Sequence, residues 1–308
     1  MPTHPPPLGP GLHVLERGWL SSNNILLDDG DGAALVDTGH SVHAAQTVAL
    51  LRRRLGARPL RRVVNTHLHS DHCGGNAALQ REWQPRVSVP AGSWQAVQDW
   101  DEQALSYVPT RQRCERFSAQ AALQPGQALR IGARDWQVIA APGHDPQSVI
   151  LFDAGHGVLI SADALWRNGF GVVFPELEGD AAFDDVARVL DLIEGLPVRW
   201  VIPGHGAPFD DVAGALQRAR SRLAGFRADP ARHLRHGAKV LLKYHLMEEQ
   251  RQPLTELRGW CLQTPLMQSI WIELGRPQGT QVAWCEQLLQ ELLTSGVLTR
   301  HGDIVHDV

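Results

Sequence analysis

The length, composition and charge of the chain are those of an ordinary globular protein. It has 308 residues, of which 43% are hydrophobic and 20% are charged, and its formal net charge is −4 at pH 7. This length suffices for one large core and a smaller domain, and the slightly acidic balance gives no general attraction to nucleic acid or to anionic membranes. No apolar run approaches the ~18 residues that span a bilayer, which argues against a membrane protein.

The first residues and the cysteines indicate the expected compartment. Residues 1–11 are predicted to be a disordered leader, because the proline-rich start has neither the basic nor the apolar segment of a secretory signal. We therefore expect a cytoplasmic protein. Disulfides are rare in that compartment, and the four cysteines are far apart in sequence: Cys73, Cys114, Cys261 and Cys285.

Strand and helix patterns alternate from residue 12 onwards. Strands are predicted at 12–15, 24–27 and 33–36, with a hairpin turn rich in glycine and aspartate between the last two. Apolar spacing predicts a helix from Ser41 to Leu55, with Ser41 as its N-cap. This alternation favours two sheets flanked by helices.

A dense run of histidines follows the next predicted strand. The run Thr66-His67-Leu68-His69-Ser70-Asp71-His72-Cys73 places three imidazoles and a carboxylate within six positions. A loop after a strand can aim such side chains at one point, and this mixture of ligands suits zinc, iron or manganese. Because each buried histidine would otherwise need its own polar partner, we predict a metal site rather than a polar surface loop. Cys73 is expected to be a small buried thiol and not a ligand.

Residues 91–118 interrupt the alternation of strands and helices. Trp94, Val97 and Trp100 recur at near-helical spacing, which is compatible with a wall of an active site or with an ordinary buried helix. A group of arginines nearby could bind an anionic substrate group, although a solvated charged face is the commoner role: Arg111, Arg113 and Arg116.

Three later turns repeat one pattern, in which a ligand-type side chain follows a short apolar strand. The strands are expected at 136–139, 157–160 and 199–202, and the side chains that follow them are His144, Asp163 and His205. One histidine in a turn is a weak indication by itself. Behind the histidine-rich run, however, three such turns together indicate that they complete one composite metal site.

The segment after Asp163 is predicted to line a substrate pocket. Residues 164–178 are apolar, aromatic and rich in glycine, and Trp166 and Phe170 are the candidates for apolar contacts with a substrate. An amphipathic helix follows from Asp180 to Leu196, with Asp180 as the expected N-cap.

These motifs resemble those of the metallo-β-lactamase-fold hydrolases, in particular the glyoxalase II-like and β-lactamase-like-2 branches. The resemblance covers about residues 12–222, including Val36-Asp37-Thr38-Gly39, and implies an α/β fold, an αββα sandwich. It implies two divalent metal ions, most often Zn²⁺, with iron or manganese as alternatives. The family's ligand pattern is complete in this chain: His67, His69 and His144 for the first ion, Asp71, His72 and His205 for the second, and Asp163 bridging both.

The implied chemistry is hydrolysis of an ester-like bond in a small-molecule substrate. Two bridged ions lower the pKa of a shared water, so that hydroxide is available at neutral pH, and stabilise negative charge that develops on a carbonyl or phosphoryl oxygen. Asp71 and Asp163 are the predicted catalytic carboxylates, both acting as ligands, and Asp71 is also a candidate for accepting a proton in a later step. Asp37 would orient ligand imidazoles through hydrogen bonds, or else only cap a turn.

Within this resemblance a thioester or related acyl substrate is the leading prediction. One alternative is a mononuclear iron sulfur dioxygenase, which would use fewer ligands, so the retention of all seven positions favours two metals. Lactonases and phosphodiesterases share the fold. Quorum-lactone hydrolases tend to carry a tyrosine shortly after the bridging aspartate, where this chain has Trp166.

Residues 223–308 are predicted to form a small helical winged-helix-like domain, an appendage that the β-lactamase-like-2 branch also carries. Residues 239–247 are apolar-periodic, and helices are expected at 254–262, 266–274 and 280–294, followed by a β-hairpin. The last helix contains Glu286 and Glu291 but no lysine or arginine, unlike a basic recognition helix. We therefore expect packing, pocket lining or homodimer formation rather than nucleic-acid binding. His245, His301 and His306 are expected at the surface.

Overall fold

The computed structural model describes residues 8–308, so residues 1–7 of the predicted leader lie outside the described part of the chain. Of the leader residues that the structure describes, Leu8 packs in the core, whereas Gly9 and Pro10 are exposed. Leu8 is buried, and its carbonyl oxygen accepts a hydrogen bond of 2.6 Å from Nη2 of Arg134. Because Arg134 is itself buried, it needs such partners, and it also forms an ion pair with Asp153.

The first half of the chain builds a six-stranded sheet in which spatial order equals chain order. Its strands β1 to β6 are Leu12–Leu15, Asn24–Asp29, Gly32–Val36, Leu60–Val64, Arg86–Pro90 and Ala121–Leu123. The first three pair in antiparallel fashion, and β3 to β6 run parallel. The helices between these strands are α1 to α5: Ala44–Leu55, Ser70–Cys73, Asn76–Trp83, Trp94–Asp99 and Tyr107–Thr110.

The second sheet has five strands in the order β11-β10-β9-β8-β7. Its strands β7 to β11 are Ala128–Ile131, Arg134–Ala140, Val149–Asp153, Val158–Ala162 and Trp200–Pro203. Only the pair β10–β11 is parallel. The helices in and after this half are α6 to α8: Phe174–Glu178, Phe183–Gly195 and Val212–Ala228.

Three apolar layers hold these elements together as an αββα sandwich, which confirms the predicted fold class. The central layer lies between the two sheets and contains Ile25, Val36, Val64, Trp136 and Ile160. One outer layer packs α1 and α3 on the first sheet, and the other packs α7 and α8 on the second. The strands β3, β9 and β10 are therefore buried along their whole length, which explains their nearly continuous apolar sequence, whereas β8 alternates buried and exposed residues.

The remaining residues form a helical region with a core of its own. Its elements in chain order are α9 Pro230–Glu249, β12 Arg251–Pro253, α10 Leu254–Gln263, α11 Pro265–Glu273, α12 Gln281–Thr294, β13 Leu298–His301 and β14 Ile304–Asp307. The three strands pair as β12-β14-β13. Helix α8 continues through residue 223, where the boundary between domains was predicted, and the chain turns only at Asp229. In the described range 8–308, none of the helices combines the length and the apolarity needed to cross a bilayer.

The two predicted N-caps are wrong. The first helical turn at Ser41–His43 is capped by His40, whose Nδ1 accepts from the backbone N–H of Val42. Helix α7 begins at Phe183 rather than at Asp180, and Oε1 of Glu176 accepts from the backbone N–H groups of Ala182 and Phe183 at 2.6 and 2.8 Å. A carboxylate from the preceding helix thus takes the role that was expected of Asp180.

Candidate metal centre

Seven side chains converge where strands of both sheets end. The histidine-rich run follows β4, and the later ligand-type residues follow β8, β10 and β11. All seven are at most 8% exposed: His67, His69, Asp71, His72, His144, Asp163 and His205. The structure therefore brings together every residue that the sequence placed in one composite site. They form two groups, and the candidate ligand atoms of each group lie within 4.8 Å of one another.

The first group consists of three histidines. Nε2 of His67 lies 3.1 Å from Nδ1 of His69, which lies 2.8 Å from Nε2 of His144. Burial and the neighbouring imidazoles hold the pKa of His67 well below its usual range. Burial, with a contribution from His144, lowers the pKa of His69 to about 3. His67 and His69 are therefore neutral at physiological pH, which is the form that binds metals.

The second group combines Asp71, His72, Asp163 and His205. Nε2 of His205 lies 3.0 Å from Oδ2 of Asp71, and Nε2 of His72 lies 3.5 Å from Oδ1 of Asp163. Burial alone would raise the pKa of Asp71, but His72 and the hydrogen bond with His205 lower it to about 2. Burial also opposes the ionisation of Asp163, yet His72 and the other histidines hold its pKa well below the usual range. Both carboxylates are therefore ionised at neutral pH.

Asp163 contacts both groups. Its Oδ2 lies 3.3 Å from Nε2 of His144 in the first group, while its Oδ1 faces His72 in the second. Glycines make this approach possible, because a Cβ atom at Gly204 would lie 2.1 Å from Oδ1 of Asp163 and one at Gly171 would lie 2.5 Å from Nδ1 of His144.

Hydrogen bonds behind the two groups fix the orientation of the imidazoles. Oδ2 of Asp37 lies 2.8 Å from Nδ1 of His72, and the same carboxylate accepts from the backbone N–H and the hydroxyl of Thr66. Nδ1 of His144 lies 2.5 Å from the carbonyl oxygen of Val172. Each contact turns the opposite ring nitrogen towards the centre. Of the two roles considered for Asp37, the orientation of an imidazole is therefore present in the structure.

The donor set fits metal ions. Nε2 of His72 is buried and lacks a hydrogen-bond partner within residues 8–308. The three facing nitrogens of the first group cannot all satisfy one another, because each neutral imidazole has one donor and one acceptor nitrogen. Cations at the two groups would satisfy all of these atoms, and imidazole with carboxylate is a mixture that zinc, iron and manganese accept.

A cavity of about 750 Å³ opens onto the centre. Five of the seven residues border it, and one wall is a single face of α9 with side chains three or four residues apart: His236, Lys239, Val240, Lys243, Tyr244 and Met247. Trp166 borders this cavity as predicted. Phe170 does not, because it is 1% exposed and packs in the outer apolar layer with α7 and α8.

Trp19 and Tyr244 are among the cavity residues that were not singled out from the sequence. Trp19 stacks on His205 with ring centroids 5.5 Å apart, and the hydroxyl of Tyr244 lies 2.7 Å from Oγ of Ser70. Tyr244 lies in the apolar-periodic part of α9, so its helical spacing with His236 and Val240 was a usable signal. Trp19 lies in an irregular loop, where no pattern of spacing marks it.

The segment 91–118 has mainly structural contacts, although Gln112 borders the cavity and accepts a hydrogen bond from the hydroxyl of Ser70. Trp94 and Trp100 pack in the outer layer with α1 and α3, so the interpretation as an ordinary buried helix holds for them. Arg113 pairs with Glu248 and Glu249, and Arg111 donates to Gln263, which ties this segment to the C-terminal region. Cys73 is buried with Sγ 3.4 Å from the carbonyl oxygens of Leu68 and His69, as expected of a thiol that packs rather than ligates.

Comparisons with known sequences agree with a metal centre of this kind. The family model described as Metallo-beta-lactamase superfamily matches residues 17–205. Acyl-coenzyme A thioesterase MBLAC2 of Gallus gallus is 28% identical over 224 residues, which cover 65% of this chain and 79% of that protein. Hydroxyacylglutathione hydrolase of Xanthomonas axonopodis pv. citri (strain 306) is 31% identical over 226 residues, covering 71% of this chain and 74% of that one.

Solved structures share the fold. A metallo-beta-lactamase family protein from Thermus thermophilus has a TM-score of 0.58 and 22% identity, with 98% of this chain and 100% of that one covered. A beta-lactamase domain protein from Burkholderia ambifaria has a TM-score of 0.55 and 24% identity, with 100% and 97% covered. The chain therefore belongs to the metallo-beta-lactamase superfamily. Like the thioesterase and the hydroxyacylglutathione hydrolase to which its sequence is similar, it is a hydrolase.

Proposed function

We propose that the protein is a dinuclear metal-dependent thioesterase. The observation that carries this proposal is the pair of buried ligand groups that meet at Asp163 beside a large, mainly apolar cavity. In this proposal His67, His69 and His144 would hold one ion, Asp71, His72 and His205 would hold the other, and Asp163 would be a ligand available to both. Zinc is our first choice over iron or manganese, because hydrolysis needs no redox change and zinc accepts this ligand mixture.

The residues of the chain have distinct tasks in the proposed reaction. When bound, the metal pair supplies an activated water and polarises the carbonyl of the substrate. Asp37 and the carbonyl of Val172 hold His72 and His144 in their orientations. Asp71, whose Oδ2 lies 3.0 Å from Nε2 of His205, stays ionised and acts as a ligand. Phe174 and Trp166 border the cavity beside the ligands and limit the access of bulk water.

The thioester is favoured by two observations. The relatives named above are a thioesterase for acyl-coenzyme A and a hydrolase for hydroxyacylglutathione, and both names describe acyl thioesters. The cavity also has apolar walls, including Val172, Val240, Leu241 and Leu292, that suit an acyl chain. The substrate is thus proposed to be a small molecule. The winged-helix-like C-terminal region is proposed to complete the pocket rather than to bind nucleic acid.

A lactone is the second candidate for the substrate, because Tyr244 borders the cavity. The argument against a lactonase was the missing tyrosine near Trp166, but the Tyr244 hydroxyl reaches the same cavity from α9. A mononuclear iron dioxygenase is less favoured, because the second ligand group is complete.

The test is a hydrolysis screen of the metal-reconstituted protein with thioesters, lactones, phosphodiesters and β-lactams. We expect thioester hydrolysis, about two metal ions per chain by plasma emission, and a loss of several orders of magnitude in His69→Ala. His301→Ala, which changes an exposed histidine, serves as the control. If His69→Ala retains wild-type activity, the proposed mechanism is wrong. One iron per chain with oxygen uptake on a persulfide would instead support the dioxygenase.

A further inference from the structure

The cations that border the cavity differ in one respect, the presence of a counterion. Lys239 and Lys243 each pair with a carboxylate at 2.5 Å, Glu291 and Asp307 respectively. Arg222 also borders the cavity, yet it has no carboxylate within ion-pair distance anywhere in residues 8–308. A partly buried charge without a partner is unfavourable, so this arginine needs another explanation.

The surroundings of Arg222 hold its guanidinium in place without neutralising it. The group lies over the rings of Phe170 and Phe226, 5.4 and 5.3 Å from their centroids. Its Nη2 lies 2.7 Å from Nε2 of His236, the only hydrogen-bond partner of this side chain in the described residues. Burial, followed by the charge of Arg222, lowers the pKa of His236 to about 4, so that imidazole is neutral and can accept. The other guanidinium N–H groups have no hydrogen-bond partner among residues 8–308.

Arg222 lies next to the loop that follows Asp163 and borders the cavity that opens onto the metal centre. A Cβ atom at Gly169 of this loop would lie 3.0 Å from Cδ of Arg222. The same cavity is lined by Asp163, Arg222 and His236. A substrate that reacts at the metal groups can therefore extend to the arginine.

We propose that Arg222, held by His236, is an anion-binding subsite that selects thioesters carrying a carboxylate or a phosphate away from the reacting carbonyl. A fixed guanidinium binds both of these groups through paired hydrogen bonds. The inference rests on the proposed thioesterase function. It adds that an anionic substituent, on the acyl part or on the thiol carrier, contributes to recognition.

The kinetic test compares three thioesters of one acyl length. Butyryl-N-acetylcysteamine is neutral, butyryl-coenzyme A carries phosphates on the carrier, and succinyl-N-acetylcysteamine carries a carboxylate on the acyl part. We expect Arg222→Gln to lower kcat/KM by about 10- to 100-fold for an anionic substrate and by less than about threefold for the neutral one. The anionic substrate that shows the loss identifies the source of the charge. Equal losses for neutral and anionic substrates would overturn the inference.

Arg220→Gln is the matched control, because Arg220 lies on the same helix and pairs with Asp191 and Glu194 at the surface. Arg222→Lys keeps the charge without the paired donors and should fall between wild type and Arg222→Gln. Calorimetric titration with inorganic phosphate and with succinate gives a readout that does not depend on hydrolysis. Both variants of Arg222 should bind the effective anion more weakly, and unchanged binding would also overturn the inference. Failure to hydrolyse any thioester would instead contradict the proposed function.

Discussion

His233 shows how one buried side chain makes stability depend on pH. It is 1% exposed, and its Nε2 accepts a hydrogen bond of 3.1 Å from the backbone N–H of Val173, which joins α9 to the loop beside the metal centre. Burial, followed by the neighbouring His236 and Arg222, lowers its pKa from 6.5 to about 3. The folded protein therefore resists protonation of a group that the unfolded chain protonates readily.

We expect this histidine to weaken the fold in acid. Because the pKa is lower in the folded state, the stabilisation is fully present above pH 6.5 and is lost as the pH falls towards 3. His233→Gln keeps an acceptor but removes the titration. The free energy of unfolding of the variant should therefore fall less steeply with decreasing pH than that of wild type. The difference between the two slopes should be up to about 1.4 kcal/mol per pH unit between pH 6 and 4. Denaturant titrations of the metal-free proteins at several pH values measure this difference. Identical slopes for wild type and variant would contradict the prediction.

The location of some residues in the fold could be predicted from their side-chain chemistry, and that of others could not. The seven residues of the centre carry ligand-type side chains directly after strand-like sequence, so both their identity and their position were informative. His245 was expected at the surface but is buried, stacked on Trp260 with centroids 4.2 Å apart and 2.9 Å from Oε1 of Gln252. Its partners come from other elements, and a single sequence does not show which distant residues will meet.

At the scale of elements, the turn after β11 depends on a glycine. Gly204 follows Pro203 and leaves room for Asp163 between the two ligand groups. The sequence predicted the strand and the following His205, but not that the residue between them had to lack a side chain. That requirement comes from the approach of a second loop, which only the assembled sheet brings near.

Gly204→Ala tests this requirement. The added Cβ would lie 2.1 Å from Oδ1 of Asp163, so the carboxylate must move. We expect a loss of more than about tenfold in metal affinity and in hydrolytic rate, with little change in secondary structure. Gly195→Ala, near the end of α7 with nothing within 4 Å of the new Cβ, is the control and should be neutral or slightly stabilising. Metal titration and circular dichroism give the two readouts, and wild-type metal affinity in Gly204→Ala would contradict the prediction.

The ends of helices and strands were harder to predict from the sequence than their type. Strands and most helices were predicted because their apolar periodicity is local, whereas the caps were wrong because Glu176 and His40 lie outside the residues expected to cap. Similarly, α9 extends from Pro230 to Glu249, whereas only residues 239–247 were predicted to be apolar-periodic. The cavity-facing residues of α9 are mostly polar, so hydrophobic spacing alone does not reveal them.

At the scale of the whole molecule, the sandwich and the C-terminal region share apolar contacts. Val172 and Leu177 follow Asp163 in the catalytic part, yet they pack in the C-terminal core with Leu241, Leu246 and Trp284. A Cβ atom at Gly237 of α9 would lie 2.6 Å from Cδ2 of Leu177, which shows how closely α6 and α9 approach. We therefore expect the two parts to unfold together.

Leu246→Ala tests this coupling. Leu246 is 0% exposed in the C-terminal core, so its truncation should cost about 2–5 kcal/mol in the free energy of unfolding. The variant should melt in one calorimetric transition at a lower Tm, with the loss of metal-centre activity coinciding with unfolding. Leu192→Ala, at a 38% exposed position on α7, is the control with a much smaller effect. Two separate transitions would show that the parts unfold independently.

The cavity-facing side of α9 offers a way to change the substrate preference of this enzyme. The residues of the metal centre lie between 37 and 205 in the sequence, whereas much of the cavity wall comes from residues 236 to 247. Substrate preference can therefore be redesigned by libraries confined to one short stretch of the gene. Such changes leave the coordinating side chains and the strands that carry them untouched.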